Sequence, residues 1–127
     1  MPVPVITALN TPTHELGTTR FTSLATPSRG STETSVWVVE IACHTPPTPH
    51  ALTREEIFVV LAGTAAVIID GIPSTAHQGD AIVVPPRTKF ELSNADEDGV
   101  LRLLCCMPVG GQGIVGDDDP FTPQWTQ

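Results

Sequence analysis

Short apolar runs separated by turn residues dominate the middle of the chain. Each run is rich in Val, Ile and Leu and is bounded by Gly, Pro or Asp, a pattern typical of β-strands that pack one face into a core. Asp70-Gly71, between two of these runs, predicts a two-residue β-hairpin loop. Because short strands recur at regular spacing without helical periodicity, the pattern predicts a β-sandwich or a β-barrel. The predicted strands are 36–43, 56–61, 65–69, 81–84, 90–94 and 100–107, with weaker signals at 3–9 and 18–24.

Changes in composition divide this single predicted domain into three parts. Residues 1–35 are rich in Thr, Ser and Pro and are interpreted as an N-terminal arm. The strand-rich residues 36–107 form the predicted barrel. Residues 108–127 are interpreted as a tail, which Phe121 and Trp125 hold against the barrel by burying aromatic surface.

Length, charge and cysteine usage exclude several classes of protein. The 127 residues correspond to one domain. The net charge of -8, from 6 Lys and Arg against 14 Asp and Glu, leaves no basic surface for nucleic acid. No apolar run reaches the ~18 residues of a membrane span, and the N-terminus has no signal-peptide pattern. Cys43, Cys105 and Cys106 form no disulfide framework and are interpreted as reduced thiols, which predicts a cytoplasmic protein. Together with the charge and the short apolar runs, this predicts no nucleic-acid and no membrane partner.

Two stretches of the chain carry the candidate chemistry. The first, HTPPTPHALTREEIFVVLAG at 44–63, contains His50, then Glu56, and then Gly63 after six further residues. The second, GDAIVVPPRTKFELSN at 79–94, has a glycine, a proline and an asparagine at its first, seventh and last positions. The spacing in both stretches resembles the two motifs of the cupin superfamily, as in small single-domain microbial cupins. The resemblance implies an all-β, single-domain double-stranded β-helix, the jelly-roll barrel of cupins.

The resemblance also implies a metal site, from which this chain departs. Cupins hold the metal with three His and one Glu, and of these the chain keeps His50 and Glu56. Leu52 and Phe90 stand in the other two positions. Two protein ligands rarely hold a divalent metal tightly, so the motif is interpreted as a degenerate site without tightly bound metal. As the alternative, a divalent transition metal (Zn, Fe, Mn or Ni) would be held by His50, Glu56 and His44.

By the same resemblance, His50 and Glu56 point into a barrel whose other side chains are mostly apolar. A buried carboxylate is costly without a partner, so the two side chains are expected to pair. Such a pair would raise the pKa of His50, keep Glu56 ionised and serve as a general acid–base dyad. The alternative is a remnant of the metal site that only fixes the shape of the pocket. The residues expected to bind substrate are Trp37, Leu52, Phe58, Arg87, Phe90 and Leu92, with Arg87 as an anion contact at the barrel mouth.

Three classes of function remain open at this point. The first is an enzyme of isomerase, cyclase or dehydratase type that acts on an apolar or aromatic metabolite without tightly bound metal. The second is a non-catalytic module that binds a small ligand, and the third is a metal-dependent dioxygenase or isomerase with an atypical ligand set. The resemblance to small cupins also implies a homodimer; the apolar face with Ile57, Val59 and Leu61 suits a second copy, and residues 1–35 offer a strand for exchange.

Overall fold

The computed structural model describes residues 5–127, which form eleven β-strands. Two 3-10 turns, Pro27–Arg29 and Gln124–Thr126, are the helical segments of this part of the chain. No helix among residues 5–127 has the length and apolar character needed to cross a membrane. The predicted all-β class is confirmed. The strands are β1 (His14–Leu16), β2 (Thr19–Ala25), β3 (Thr34–Ala42), β4 (Ala51–Leu52), β5 (Glu56–Ala62), β6 (Ala65–Ile69), β7 (Ile72–Ala76), β8 (Ala81–Val84), β9 (Phe90–Asn94), β10 (Val100–Pro108) and β11 (Gly113–Ile114).

Two antiparallel sheets enclose the core. The larger sheet has six strands in the order β1-β2-β3-β10-β5-β8, and the smaller has three in the order β7-β6-β9. A short pair, β11-β4, joins the tail to the segment before β5. One hydrophobic cluster contains side chains of both sheets, such as Leu103 of the larger sheet and Phe90 of the smaller. The double-stranded β-helix expected from the sequence is therefore confirmed.

The predicted strands agree closely with the observed ones. Strands β6, β8 and β9 have the predicted bounds, whereas β3, β5 and β10 differ from prediction by one or two residues at their ends. The loop Asp70-Gly71 joins β6 to β7, and its two residues have φ of 51° and 79°, as a type I′ turn requires. The weak signal at 18–24 corresponds to β2. Of the signal at 3–9, residues 3 and 4 lie outside the described residues, and residues 5–9 form no strand.

Alternation along β5 and β10 separates an inner from an outer face of the larger sheet. Side chains at every second position are buried, and those between them point outward. On the outer face Ile57, Val59 and Leu61 are half-buried, and their burial by a second copy stays a prediction. The buried set on these two strands consists of Glu56, Phe58, Val60, Leu101, Leu103, Cys105 and Met107.

Both ends of the chain pack on the barrel. Strands β1 and β2 extend the larger sheet beside β3 of the same chain, and an exchange of residues 1–35 between two chains stays a prediction. In the tail, the ring of Trp125 stacks on that of Phe21 with the centroids 3.7 Å apart. Ser23 Oγ donates a 2.7 Å hydrogen bond to the carbonyl of Trp125. Trp125 therefore holds the tail as expected, whereas Phe121 is 46% exposed.

Four positions of the two motifs have a left-handed backbone: His44, Gly63, Gly79 and Arg87. Gly63 has φ of 87°, and a Cβ at this position would lie 3.1 Å from the carbonyl oxygen of Val100, so only glycine fits well. His44 and Arg87 have a side chain, yet they keep φ of 63° and 59°. A left-handed backbone costs a non-glycine residue roughly 1–2 kcal/mol. His44 and Arg87 are therefore strained positions.

Replacing Arg87 by Gly is expected to stabilise the protein by about 0.5–1 kcal/mol, because relief of left-handed strain outweighs the added freedom of the unfolded chain. Arg87 is exposed, so little packing is lost. The matched control is Lys89→Gly, at an exposed residue outside the left-handed region. There glycine is expected to destabilise the protein by about 0.5–1 kcal/mol. Urea unfolding of both variants checks the difference, and an equal loss of stability in the two would contradict it.

Candidate functional site

A cavity of about 300 Å³ lies between the two sheets and is lined mainly by apolar and aromatic side chains. Its mouth is marked by the exposed lining residues Leu16, Pro46, Pro47, Thr48 and Phe121. A concave, largely apolar space with few polar groups is typical of a small-molecule site. The inner wall includes Phe21, Trp37, Val39, Phe58, Phe90, Leu92 and Leu103.

The structure brings seven of the eight sequence-predicted catalytic and substrate-binding residues into this cavity. They are His50, Glu56, Trp37, Leu52, Phe58, Phe90 and Leu92. The eighth, Arg87, is exposed in the turn after β8 and lies outside the cavity lining. Its backbone N–H donates a 2.6 Å hydrogen bond to the carbonyl of Leu52. His44, the alternative metal ligand, is also exposed and does not line the cavity.

Glu56 supplies the carboxyl group of the cavity wall. It begins β5 on the inner face, opposite Val84 of β8, and only 5% of its surface is exposed. Burial raises the pKa of Glu56 from 4.5 to about 8, and the neighbouring Cys105 thiol lowers the pKa by a smaller amount. At pH 7 the carboxyl is therefore mainly protonated and is able to donate a hydrogen bond into the cavity.

His50 does not contact Glu56 as expected, and the roles of the two residues as acid and base stay a prediction. Within residues 5–127 no ion pair or hydrogen bond joins the two side chains. His50 Nδ1 donates a 2.8 Å hydrogen bond to the carbonyl of Thr48, and the imidazole ring lies 4.4 Å from the ring of Phe90. Two backbone hydrogen bonds between His50 and Phe90, of 3.0 and 2.8 Å, hold the histidine in this place. The expectation that Glu56 stays ionised is wrong for the same reason, because burial without a cation favours the neutral carboxyl.

The match to a known family covers the barrel. The family model of the cupin domain matches residues 37–107, which is more than half of the chain. This chain belongs to the cupin domain family. An uncharacterized protein of Methanocaldococcus jannaschii is 33% identical to this cupin over 54 residues, which are 42% of each chain. The aligned part is therefore less than half of that relative.

Solved structures share the cupin fold at low sequence identity. KdgF from Halomonas sp. has a TM-score of 0.68 at 18% identity, covering 80% of this cupin and 92% of that chain. The EutQ protein of Clostridium difficile has a TM-score of 0.60 at 24% identity, covering 71% of this cupin and 67% of that chain. Salicylate 1,2-dioxygenase from Pseudoaminobacter salicylatoxidans has a TM-score of 0.69 at 15% identity, covering 84% of this cupin and 31% of that chain. At these identities the likeness shows the fold alone.

The metal site that the cupin family implies does not fit the side chains of this cavity. Leu52 and Phe90, at two of the four ligand positions, are buried and have no donor atom. His50 directs one ring nitrogen to the carbonyl of Thr48. In the described part of the chain, no three His, Cys, Asp or Glu side chains lie close enough together to hold a metal ion. The donors present therefore fall short of the set that a divalent transition metal requires.

The place of Cys105 in the site was missed by sequence reasoning. Cys105 is fully buried on β10, and its register partners are Trp37 on β3 and Phe58 on β5. Burial and, to a smaller extent, the neighbouring Glu56 raise the pKa of the thiol, so Cys105 stays protonated. Strand parity indicated that the side chain of Cys105 points inward, because Cys105 lies two residues after Leu103 on the inner face of the strand.

The tail's part in the cavity was also missed. Phe121 and Trp125 line the cavity from the tail, together with Phe21 of β2, on which Trp125 stacks. Nothing local in the sequence predicts this, because the tail reaches the cavity through contacts with residues distant in the chain: β11 pairs with β4, and Trp125 stacks on Phe21. Both tryptophans of the chain, Trp37 and Trp125, line the cavity, so intrinsic fluorescence reports directly on its contents.

Proposed function

We propose that this cupin is an enzyme that transfers a proton to or from a small, largely apolar metabolite without a resident metal. The observation that carries the proposal is the Glu56 carboxyl in an apolar cavity, with a pKa that burial raises to about 8. A group whose pKa lies near the working pH is present in both proton states and suits general acid–base catalysis. The fold does not carry the proposal, because cupin-like barrels host unrelated activities.

Two groups of the cavity have separate parts in the proposed reaction. The protonated carboxyl of Glu56 donates its proton to a carbonyl or hydroxyl oxygen of the ligand. At the mouth, His50 keeps its Nδ1 proton on the carbonyl of Thr48, so that Nε2 is the basic nitrogen of the ring. Removal of a proton from carbon by Nε2, with addition of a proton to oxygen by Glu56, gives an isomerisation. Cyclisation and dehydration use the same acid and base.

The test compares wild-type protein with Glu56→Gln after both have been dialysed against a chelator. Each protein is incubated with a small-molecule extract, and the bound and released compounds are identified by mass spectrometry. We expect the wild type to bind one compound and convert it, and the Gln variant to bind it with conversion slowed by roughly 10²–10⁴-fold. The matched control is Glu55→Gln, the same change at the exposed neighbour, which is expected to be as active as the wild type.

Two results would replace this proposal by the other functions considered. A compound that wild-type protein binds and returns unchanged would identify a non-catalytic binding module. Conversion that stops on chelation and returns with Zn, Fe, Mn or Ni would identify a metal-dependent cupin.

The proposal also includes a cytoplasmic location and a homodimer. The three free cysteines support the cytoplasmic location, and the half-buried apolar outer face supports the homodimer.

A further inference from the structure

Among the described residues, the wall of the cavity carries no permanent positive charge. Of the described residues that line the cavity, none is Lys or Arg, and those that titrate are His50, Glu56 and Cys105. Arg87, the cation expected at the mouth, is exposed outside the lining. The chain as a whole carries a net charge of -8. An anionic ligand would therefore lose its water without gaining a lysine or arginine partner, which opposes its binding.

The Glu56 carboxyl keeps hydrogen-bonding capacity for a ligand. Its polar neighbour is the Cys105 thiol, which is a weak hydrogen-bond partner. Around it the wall is aromatic: the rings of Phe58 and Phe90 lie 5.9 Å apart, and Trp37 lines the same cavity. A flat apolar ring packs well against such a wall, and one polar atom on that ring is enough to complete the hydrogen bond of the carboxyl.

We propose that the cavity selects uncharged aromatic ligands that carry a carbonyl oxygen and rejects carboxylates of the same shape, with Glu56 as the specificity-determining residue. The carboxyl donates its O–H to the ligand oxygen while the ring of the ligand packs against Phe58 and Phe90. The inference rests on the proposed function only in taking this cavity as the ligand site. It requires no turnover.

A protonated amine is the other ligand that a lone carboxyl attracts. Its binding requires Glu56 to ionise in a wall that favours the neutral carboxyl, as the raised pKa of Glu56 shows. The ammonium group and the carboxylate would then both give up their water in the cavity. An uncharged carbonyl oxygen accepts its hydrogen bond without ionisation of Glu56 and without removing water from charged groups. The observations therefore favour the uncharged ligand.

The test uses three naphthalene probes with the same ring attachment: methyl naphthyl ketone, naphthoate and naphthylethylamine. Each is titrated into the full chain near neutral pH by calorimetry, with protein dialysed against chelator. We expect the ketone to bind at least about tenfold more tightly than either charged probe. Fluorescence of Trp37 and Trp125 confirms that the probe lies in the cavity, since both side chains line it.

The pH profile distinguishes a hydrogen bond from Glu56 from simple packing. An ionised carboxyl has no proton to donate, so the ketone affinity is expected to fall by up to about tenfold per pH unit above pH 8. Glu56→Gln keeps an N–H donor that does not titrate, and its ketone affinity is expected to stay level over the same range. Glu55→Gln, at the exposed neighbour, is expected to follow the wild type.

Each contrary result overturns a different statement. Naphthoate that binds as tightly as the ketone would overturn the charge selectivity and leave the cavity as the ligand site. Naphthylethylamine that binds most tightly, with release of a proton, would overturn the uncharged ligand class. Failure of all three probes to bind would overturn this inference, and the extract experiment would decide separately whether the proposed function holds. Ketone binding with no metabolite converted in the extract experiment would support this inference and overturn only the enzyme.

Discussion

Glu56→Gln is expected to raise the free energy of unfolding by an amount that grows with pH. In the unfolded chain Glu56 has its ordinary pKa of 4.5, whereas burial raises that pKa to about 8 in the folded protein. Between these values the unfolded chain binds fewer protons than the folded one, so the wild type loses stability as the pH rises. The slope is about 1.4 kcal/mol per pH unit, which sums to on the order of 4–5 kcal/mol by pH 8. Gln has the same shape and does not titrate, so the variant avoids this loss.

The measurement is urea unfolding of both proteins at several pH values between about 4 and 9. The stabilities are expected to be similar at the acid end, to diverge between about pH 4.5 and 8, and to run parallel above pH 8. Glu55→Gln is the matched control, because its side chain is exposed and the change removes the same charge. Wild-type and Gln curves that stay parallel over the whole range would show that Glu56 is already ionised in the folded protein.

Phe90→Ala is expected to lower the free energy of unfolding by about 3–5 kcal/mol. Phe90 is only 2% exposed, and its ring lies 4.4 Å from that of His50 and 5.9 Å from that of Phe58. Removing the ring loses its burial and widens a cavity that the remaining side chains cannot close. The loss is larger than for most single changes, because Phe90 stands where the two sheets meet at the site.

Two further variants make the Phe90 measurement specific. Phe121→Ala makes the same chemical change at a ring that is 46% exposed at the mouth, and it is expected to cost about 1 kcal/mol or less. Phe90→Leu keeps most of the apolar volume and is expected to fold with a smaller loss, about 1–2 kcal/mol, even where the alanine variant does not fold. Equal losses at positions 90 and 121, measured by urea unfolding, would contradict the central place of Phe90.

The parts of the fold that could be predicted rest on signals that are local in the chain. The alternation in β5 and β10 follows from the period of two of an extended backbone, whichever strands later pair with them. The hairpin at Asp70-Gly71 follows from the two positive φ angles of a type I′ turn. The ends of β3 and β10 could not be predicted from local signals, because a strand ends where its partner ends, and the two strands pair along their whole length.

The sequence by itself determined the all-β class, most of the strand positions and, through the resemblance to cupins, the inward direction of seven of the eight candidate site residues. Only the tertiary structure decided that His50 lies against Thr48, that Arg87 faces solvent and that Cys105 is the polar neighbour of Glu56. The physical reason is the range of each interaction. Strand parity depends on neighbours in the chain, whereas the protonation of a buried carboxyl depends on every group that other strands bring within a few ångströms.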